Sequence, residues 1–230
     1  MLSDSAQDSF VQVLVGQAET PFTVHKTLLC KSSDYFKAQL KPEWSGTPVK
    51  APHDSQSAFN IYVNWLYSSK ITTTATSTSN EEQHHAEWKA LAESYVVGEV
   101  LLDIPFKDSV IDALRAKIQS TSGHTIWSCG GDLIKIIYSG TSESSPARML
   151  LADVYASIKR TKELTAVYDK APKDFFYNVS LVCNRWVANL EQRMPDYEPL
   201  KDFWFCSDLS CKYHCHLDSA ECYLQEHSNA

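Results

Sequence analysis

The residues with the most evident chemistry lie near the end of the chain. Residues 201–230 read KDFWFCSDLSCKYHCHLDSAECYLQEHSNA and hold four of the seven cysteines and three of the eight histidines. Cys206, Cys211, Cys215 and Cys222 offer thiolates; His214, His216 and His227 offer imidazoles. Zinc takes four such donors in a tetrahedron, and a close pair such as Cys211 and His214 chelates from a single turn. Cys222 with His216 or His227 would complete a set of four. A metal would also give this segment, which lacks a core of its own, a reason to fold. The spacing is not the double Cys-x-x-Cys of a standard finger and does not select one set of four. The competing reading is a helix-docked tail whose cysteines and histidines are incidental. A disulfide is disfavoured in a reducing cell.

No other stretch carries a reaction motif. The chain has no glycine-rich phosphate loop, nucleophile elbow or His-Glu-x-x-His pair, and its 7 glycines leave little with which to build a nucleotide cradle. His25 lacks the nucleophile or carboxylate partner that a catalytic histidine needs. It reads as a structural residue hydrogen-bonded to backbone at a strand-to-helix junction. A non-enzymatic protein is the expectation.

Composition agrees. With 230 residues the chain makes one domain and an appendage, or two small domains, and can bury a core without covalent staples. Lys plus Arg number 21 and Asp plus Glu 28, a net charge of −7 that is opposite to the basic stripe of a nucleic-acid-binding surface. Lys159, Arg160 and Lys162 read as a solvated helix face. The N-terminus, MLSDSAQDS, carries acids where a secretory signal carries basic and apolar residues. No apolar run reaches the roughly 18 residues of a membrane span. The expectation is an intracellular chain, nuclear or cytoplasmic, with neither nucleic acid nor membrane as partner. In a reducing compartment Cys30, Cys129 and Cys183 read as small buried apolar side chains.

The elements that position these residues follow from periodicity. Val11, Val13 and Val15 alternate with Gln12 and Leu14, a strand ended by Gly16, and Phe22 to Val24 is a second strand. Leu28, Leu29 and Cys30 lie on a helix; Ser32-Ser33-Asp34 breaks it and a second helix carries Tyr35, Phe36 and Leu40, with Asp34 as its N-cap. After a Pro- and Gly-rich loop, Val49 to Pro52 makes a third strand. Asp54 or Ser55 caps a helix over about 56–68 with Phe59, Tyr62, Val63 and Leu66 on its buried face, broadened by Trp65 and Tyr67. Residues 72–80, TTTATSTSN, read as a flexible insertion. A helix over 81–98 buries Trp88, Leu91, Ala92, Tyr95 and Val96, with Gly98 either as its C-terminal glycine or as a kink after which Val100 to Leu102 continue. Pro105 opens a helix with Phe106, Val110, Ile111, Leu114 and Ile118. From 123 to 195 the pattern is all-helical. Leu133, Ile136 and Ile137 make one face. A helix starting at Ser144-Ser145-Pro146 buries Leu150, Leu151, Val154, Tyr155 and Ile158. A last helix, opened by Ala171-Pro172, carries Phe175, Val179, Val182, Cys183, Trp186 and Leu190, with Pro195 and Pro199 beyond it.

Val13-Leu14-Val15-Gly16, Phe22-Thr23-Val24-His25-Lys26, Leu28-Leu29-Cys30, Ser32-Ser33 and Tyr35-Phe36, in that order, resemble the opening of a BTB/POZ domain in the form common in filamentous fungi. AFNIYVNWLYSSKI resembles that domain's third helix and following strand, and ALAESYVVGEVLLDIPFKDSVIDAL its closing helix pair. The resemblance implies an α+β fold: a BTB/POZ domain over 9–120 with a small three-stranded sheet flanked by helices, an all-helical extension over 123–195, and the Cys/His-rich tail over 201–230. The tail resembles the ends of many fungal BTB proteins in Cys211, Tyr213, His214, His216 and Cys222. Cys211, His214, His216 and Cys222 are the candidate ligands of a structural zinc.

The resemblance also implies function: a protein–protein interaction module that dimerises or docks a cullin as a ubiquitin-ligase adaptor. Cullin-binding members often carry a hydrophobic-x-Glu motif after the second helix; Leu40-Lys41-Pro42-Glu43 has one residue more. Phe10 stands where the family commonly has an aspartate before the first strand's valine. The alternatives are a zinc-stabilised, transcription-associated regulator and a self-associating scaffold.

Overall fold

The computed structural model of the protein describes residues 9–41, 48–53, 55–73, 81–120, 130–157, 161–192, 211–216 and 222. Strands β1 (Phe10–Val15) and β2 (Thr20–His25) form an antiparallel hairpin, and β3 (Val49–Lys50) pairs parallel to β1, giving the order β2-β1-β3. The hairpin turn needs a left-handed residue, and Gly16 supplies it at φ 73°. Val13, Val15 and Val24 are buried on one face, as their alternation requires.

Helices α1 (Lys26–Ser32) and α2 (Asp34–Gln39) meet at Ser33. The Ser33 hydroxyl accepts from the Phe36 amide at 3.2 Å and donates to the Leu101 carbonyl at 2.6 Å. Ser33, not Asp34, is therefore the N-cap. Asp34 lies one residue further in, where its charge suits the helix N-terminus, and it pairs with Lys37.

Helix α3 (Gln56–Ser68) is capped by Ser55, which accepts from the Ala58 amide at 3.2 Å. Its buried face is Ala58, Phe59, Ile61, Tyr62 and Trp65. Val63 and Leu66 are half-buried and Tyr67 is exposed, so the face is rotated from the expected one. The cause is Trp65: its indole donates to Ser109 at 3.0 Å and its ring lies 5.1 Å from that of Phe106. An aromatic ring with a satisfied N–H outweighs a nearby valine in choosing the buried side.

Helix α4 (Glu81–Val100) runs on through Gly98. The chain turns at Leu102, which takes φ 53°; the Asp103 amide donates to the Gly98 carbonyl at 3.0 Å. Gly98 is not the helix stop. Its role is close approach, since a Cβ there would sit 2.7 Å from Cγ of Lys107 and 3.0 Å from a ring carbon of Phe106. That lets α5 (Ile104–Ser120) lie against α4. Asp103 caps α5 by accepting from the Phe106 amide at 3.0 Å, and it accepts from the Tyr62 hydroxyl at 2.9 Å.

The extension comprises α6 (Gly130–Gly140), α7 (Pro146–Ser157), α8 (Thr161–Val167) and α9 (Lys173–Gln192). Helix α8 falls within the stretch read as all-helical, although its seven residues are too few to establish a face of their own. Helix α6 packs along α4, with Gly140 against Val96. Phe175 of α9 meets Tyr138 of α6 and Tyr155 of α7 edge-on, with ring centres 5.8 and 5.0 Å apart. Buried residues of the hairpin, α1 to α9 and Tyr213 join in one apolar cluster. The extension thus shares a core with the domain before it. The insertion at 74–80, the loop at 42–47, Asp54, Cys129, Ile158, the side chain of Leu190, Pro195 and Pro199 lie outside the described residues.

Candidate functional site

Tail residues Cys211 to His216, with Cys222, lie over α5 and α7. The Cys215 amide donates to Oδ1 of Asp108 on α5 at 2.6 Å. The Tyr213 ring is buried, and its hydroxyl donates to Oδ2 of Asp153 on α7 at 2.7 Å. Lys212 pairs with the same oxygen at 2.7 Å. The Cys215 thiol lies 3.6 Å from the Tyr95 hydroxyl of α4. Burial dominates the titration of this region: it pushes the Tyr213 phenol well up, reinforced by the Asp153 charge, and pushes up the Asp108 carboxyl and the Cys215 thiol.

Cys211, His214, His216 and Cys222 converge, their donor atoms all lying within 4.8 Å of one another. Nδ1 of His214 is 3.3 Å from Nε2 of His216 and 3.5 Å from the Cys222 sulfur. The His214 side chain is fully buried, and its Nε2 is 3.1 Å from Oδ1 of Asp112 on α5. Asp112 is held in turn by Arg115 at 3.3 Å. Two thiols and two imidazoles at this spacing can hold a metal ion. Of the seven tail residues considered from sequence, these four come together; Cys215 lies apart against Tyr95, and Cys206 and His227 are outside the described residues. Sequence reading missed Asp108, Asp112 and Asp153. Acids four apart on a helix, as Asp108 and Asp112 are, read as a solvated face, and no local signal marks them as covered.

A second feature is an aromatic surface strip. Phe10 is 62% exposed, and its ring lies 4.2 Å from that of His25. The Tyr67 hydroxyl accepts from the His25 amide at 3.2 Å and is hydrogen-bonded to His25 Nδ1 at 2.7 Å. The partner His25 has here is a tyrosine side chain, where a backbone group was expected. A third feature is the turn between α4 and α5, where Leu102 is 60% and Ile104 44% exposed. Of the acidic motif after α2, Leu40 is half-buried and Lys41 exposed, while Pro42 and Glu43 lie outside the described residues.

Among the described residues no helix is long and apolar enough to cross a membrane. None of the curated proteins compared with the chain matches it. Residues 2–101 match the family model of the BTB/POZ domain. The hairpin, β3 and α1 to α4 therefore form a domain of that family, a kind of domain that serves generally in protein–protein interaction. The match ends before α5, so α5, the extension and the tail lie beyond it.

Proposed function

We propose that the chain uses its BTB/POZ domain to bind a protein partner, either a second copy of itself or a cullin-type scaffold of a ubiquitin ligase, and that the α4–α5 turn is an anchor of that contact. The observation that carries the reading is Leu102. It stands in the left-handed region at φ 53°, a conformation that costs a side-chain-bearing residue about 1–2 kcal/mol and that glycine adopts freely. Its side chain is 60% exposed, so it gains little from the core in return. A leucine in a conformation that glycine adopts freely, beside the exposed Ile104, gives a partner an apolar anchor. Ser33 and Tyr35 bind the Leu101 carbonyl from α1 and α2, which holds the turn firmly in place. That the domain has the filamentous-fungal form is part of the same proposal, supported by the resemblance of its opening residues 10–37 and of the tail pattern Cys211, Tyr213, His214, His216, Cys222. A net charge of −7 weighs against the nucleic-acid-binding regulator.

The test compares the full chain with Leu102→Gly. Light scattering gives the oligomeric state, and calorimetric titration measures affinity for a cullin N-terminal domain. The expected result is a dimer, or a dissociation constant near about 1 μM, roughly −8 kcal/mol. Leu102→Gly weakens that contact while the variant melts no lower than wild type. A folded chain that is monomeric and binds no cullin domain refutes the proposal; equal affinity of the variant removes Leu102 as the anchor.

A further inference from the structure

We infer that Cys211, His214, His216 and Cys222 bind one zinc ion as a closed tetrahedral site, and that this site clasps the tail across α5 and α7. The inference stands on the tail's own geometry and is independent of the partner reading above.

Two of the donor–donor distances match coordination. With Zn–N near 2.05 Å and Zn–S near 2.3 Å, a tetrahedral angle puts two nitrogens about 3.3 Å apart and a nitrogen and sulfur about 3.5 Å apart. The structure has 3.3 Å between His214 Nδ1 and His216 Nε2, and 3.5 Å between His214 Nδ1 and the Cys222 sulfur. These are two edges meeting at one donor atom.

The protonation pattern matches as well. Asp112 can only accept when ionised, so at 3.1 Å it accepts a hydrogen bond from His214 Nε2–H and favours the tautomer protonated there. That leaves the lone pair on Nδ1, the nitrogen that faces His216 and Cys222. A carboxylate behind a ligating imidazole is the usual orienting partner at zinc sites, and Arg115 fixes this one. Asp112 is thus a positioning residue. Two thiolates neutralise the dication, so the closed centre carries no net charge against the buried His214 and Cys222. Thiolate and imidazole donors together favour zinc over magnesium or calcium, which take oxygen ligands.

The consequence is mechanical. On one side of the centre, Asp108 and Asp112 attach the tail to α5; on the other, Lys212 and Tyr213 attach it to Asp153 of α7. The ion ties Cys211 to Cys222 where the tail bridges α5 and α7. Metal that binds only the folded tail stabilises the fold by mass action.

The test is reconstitution of the full reduced chain with zinc, then with cobalt(II) as a spectroscopic stand-in. The expected results are one zinc per chain and, with cobalt, a tetrahedral visible band plus a near-ultraviolet charge-transfer band of two thiolates. A chelator lowers the melting temperature and speeds amide exchange in the tail and at the α5 and α7 residues beneath it. Cys211→Ser abolishes the chelator response. Cys215→Ser and Cys30→Ser keep the metal. Asp112→Asn weakens zinc affinity by about 10-fold or more in chelator competition. The wild-type cobalt spectrum and X-ray absorption, which counts sulfur against nitrogen ligands, need no variant and decide the matter if a variant fails to fold. Less than stoichiometric zinc, a cobalt spectrum without thiolate bands, or retention of metal by Cys211→Ser with loss by Cys215→Ser each overturns the proposal.

Discussion

Gly140 gives a direct test of whether the extension and the BTB/POZ domain share one core. It is the last residue of α6, and a Cβ on it would lie 2.5 and 2.6 Å from the two methyls of Val96 on α4. Ordinary carbon–carbon contact is about 3.5–4.0 Å, so Gly140→Ala has to open roughly 1 Å between two packed helices. Overpacking of that kind costs about 1–3 kcal/mol. Against it stands the helix preference of alanine over glycine, up to about 1 kcal/mol. The net expectation is a loss of about 1–2 kcal/mol, or a melting temperature lower by about 2–8 °C for a chain of this size.

The diagnostic is a reversal of sign. Val96→Ala removes both methyls and costs about 1–2 kcal/mol on its own, since the side chain is nearly buried. In that background the new methyl of Gly140→Ala enters the vacated space, so the substitution becomes neutral or stabilises by up to about 1 kcal/mol. Urea unfolding of the four zinc-loaded proteins measures the cycle. A Gly140→Ala cost that is absent in the wild type, or the same in both backgrounds, would mean that α6 does not lie on α4.

Three further perturbations follow from the same packing. Phe59, ringed by Phe22, Phe36 and Tyr62, should cost about 3–5 kcal/mol on truncation to alanine; a loss below about 0.5 kcal/mol in denaturant unfolding would place it outside the core. Burial raises the Asp103 carboxyl above the ordinary carboxylate range despite its hydrogen bonds. A raised native value favours the protonated form, so this contribution is fully present below the unfolded value and is lost as pH rises through the native one. The stability of wild type minus that of Asp103→Asn should therefore fall with rising pH across that window, and a flat difference curve contradicts the assignment. Tyr213→Phe removes one donor from Asp153 while Lys212 remains; it should cost roughly 1.5 kcal/mol in thermal unfolding, and an unchanged melting temperature would show the tail undocked.

Local periodicity made the strands and long helices legible. Val13, Val15 and Val24 alternate into the core, and the α7 face of Leu150, Leu151, Val154 and Tyr155 is buried as read. Errors arose where a contact distant in sequence chose between local options. Ser33 outcompetes Asp34 as a cap because its hydroxyl also reaches Leu101, 68 residues away. Trp65 turns α3 because Ser109 waits for its N–H. Gly98 looked like a helix stop because glycines commonly are, yet the facing helix requires it for closeness and a leucine takes the left-handed turn four residues later.

The candidate site shows the same division more sharply. Donor chemistry is visible in the chain, since thiols and imidazoles announce themselves, but the choice among Cys206, Cys211, Cys215 and Cys222 is not, because spacing alone admits several sets. α5 makes the choice. Asp108 takes the Cys215 amide, which turns that thiol toward Tyr95, while Asp112, one helical turn on, holds His214 with Nδ1 facing Cys222. Two acids that a helical wheel assigns to solvent thus act as a jig for the tail. Their burial is tolerable because each has a donor from the tail, and an aspartate without one would cost several kcal/mol. Removing the tail should therefore destabilise α5 by more than the lost apolar area of Tyr213. Replacing Asp108 and Asp112 together by asparagine in a tail-deleted chain should recover part of that loss, whereas in the full chain the same pair of substitutions should lower stability. Equal effects in the two backgrounds, by urea unfolding, would show that the acids serve α5 alone.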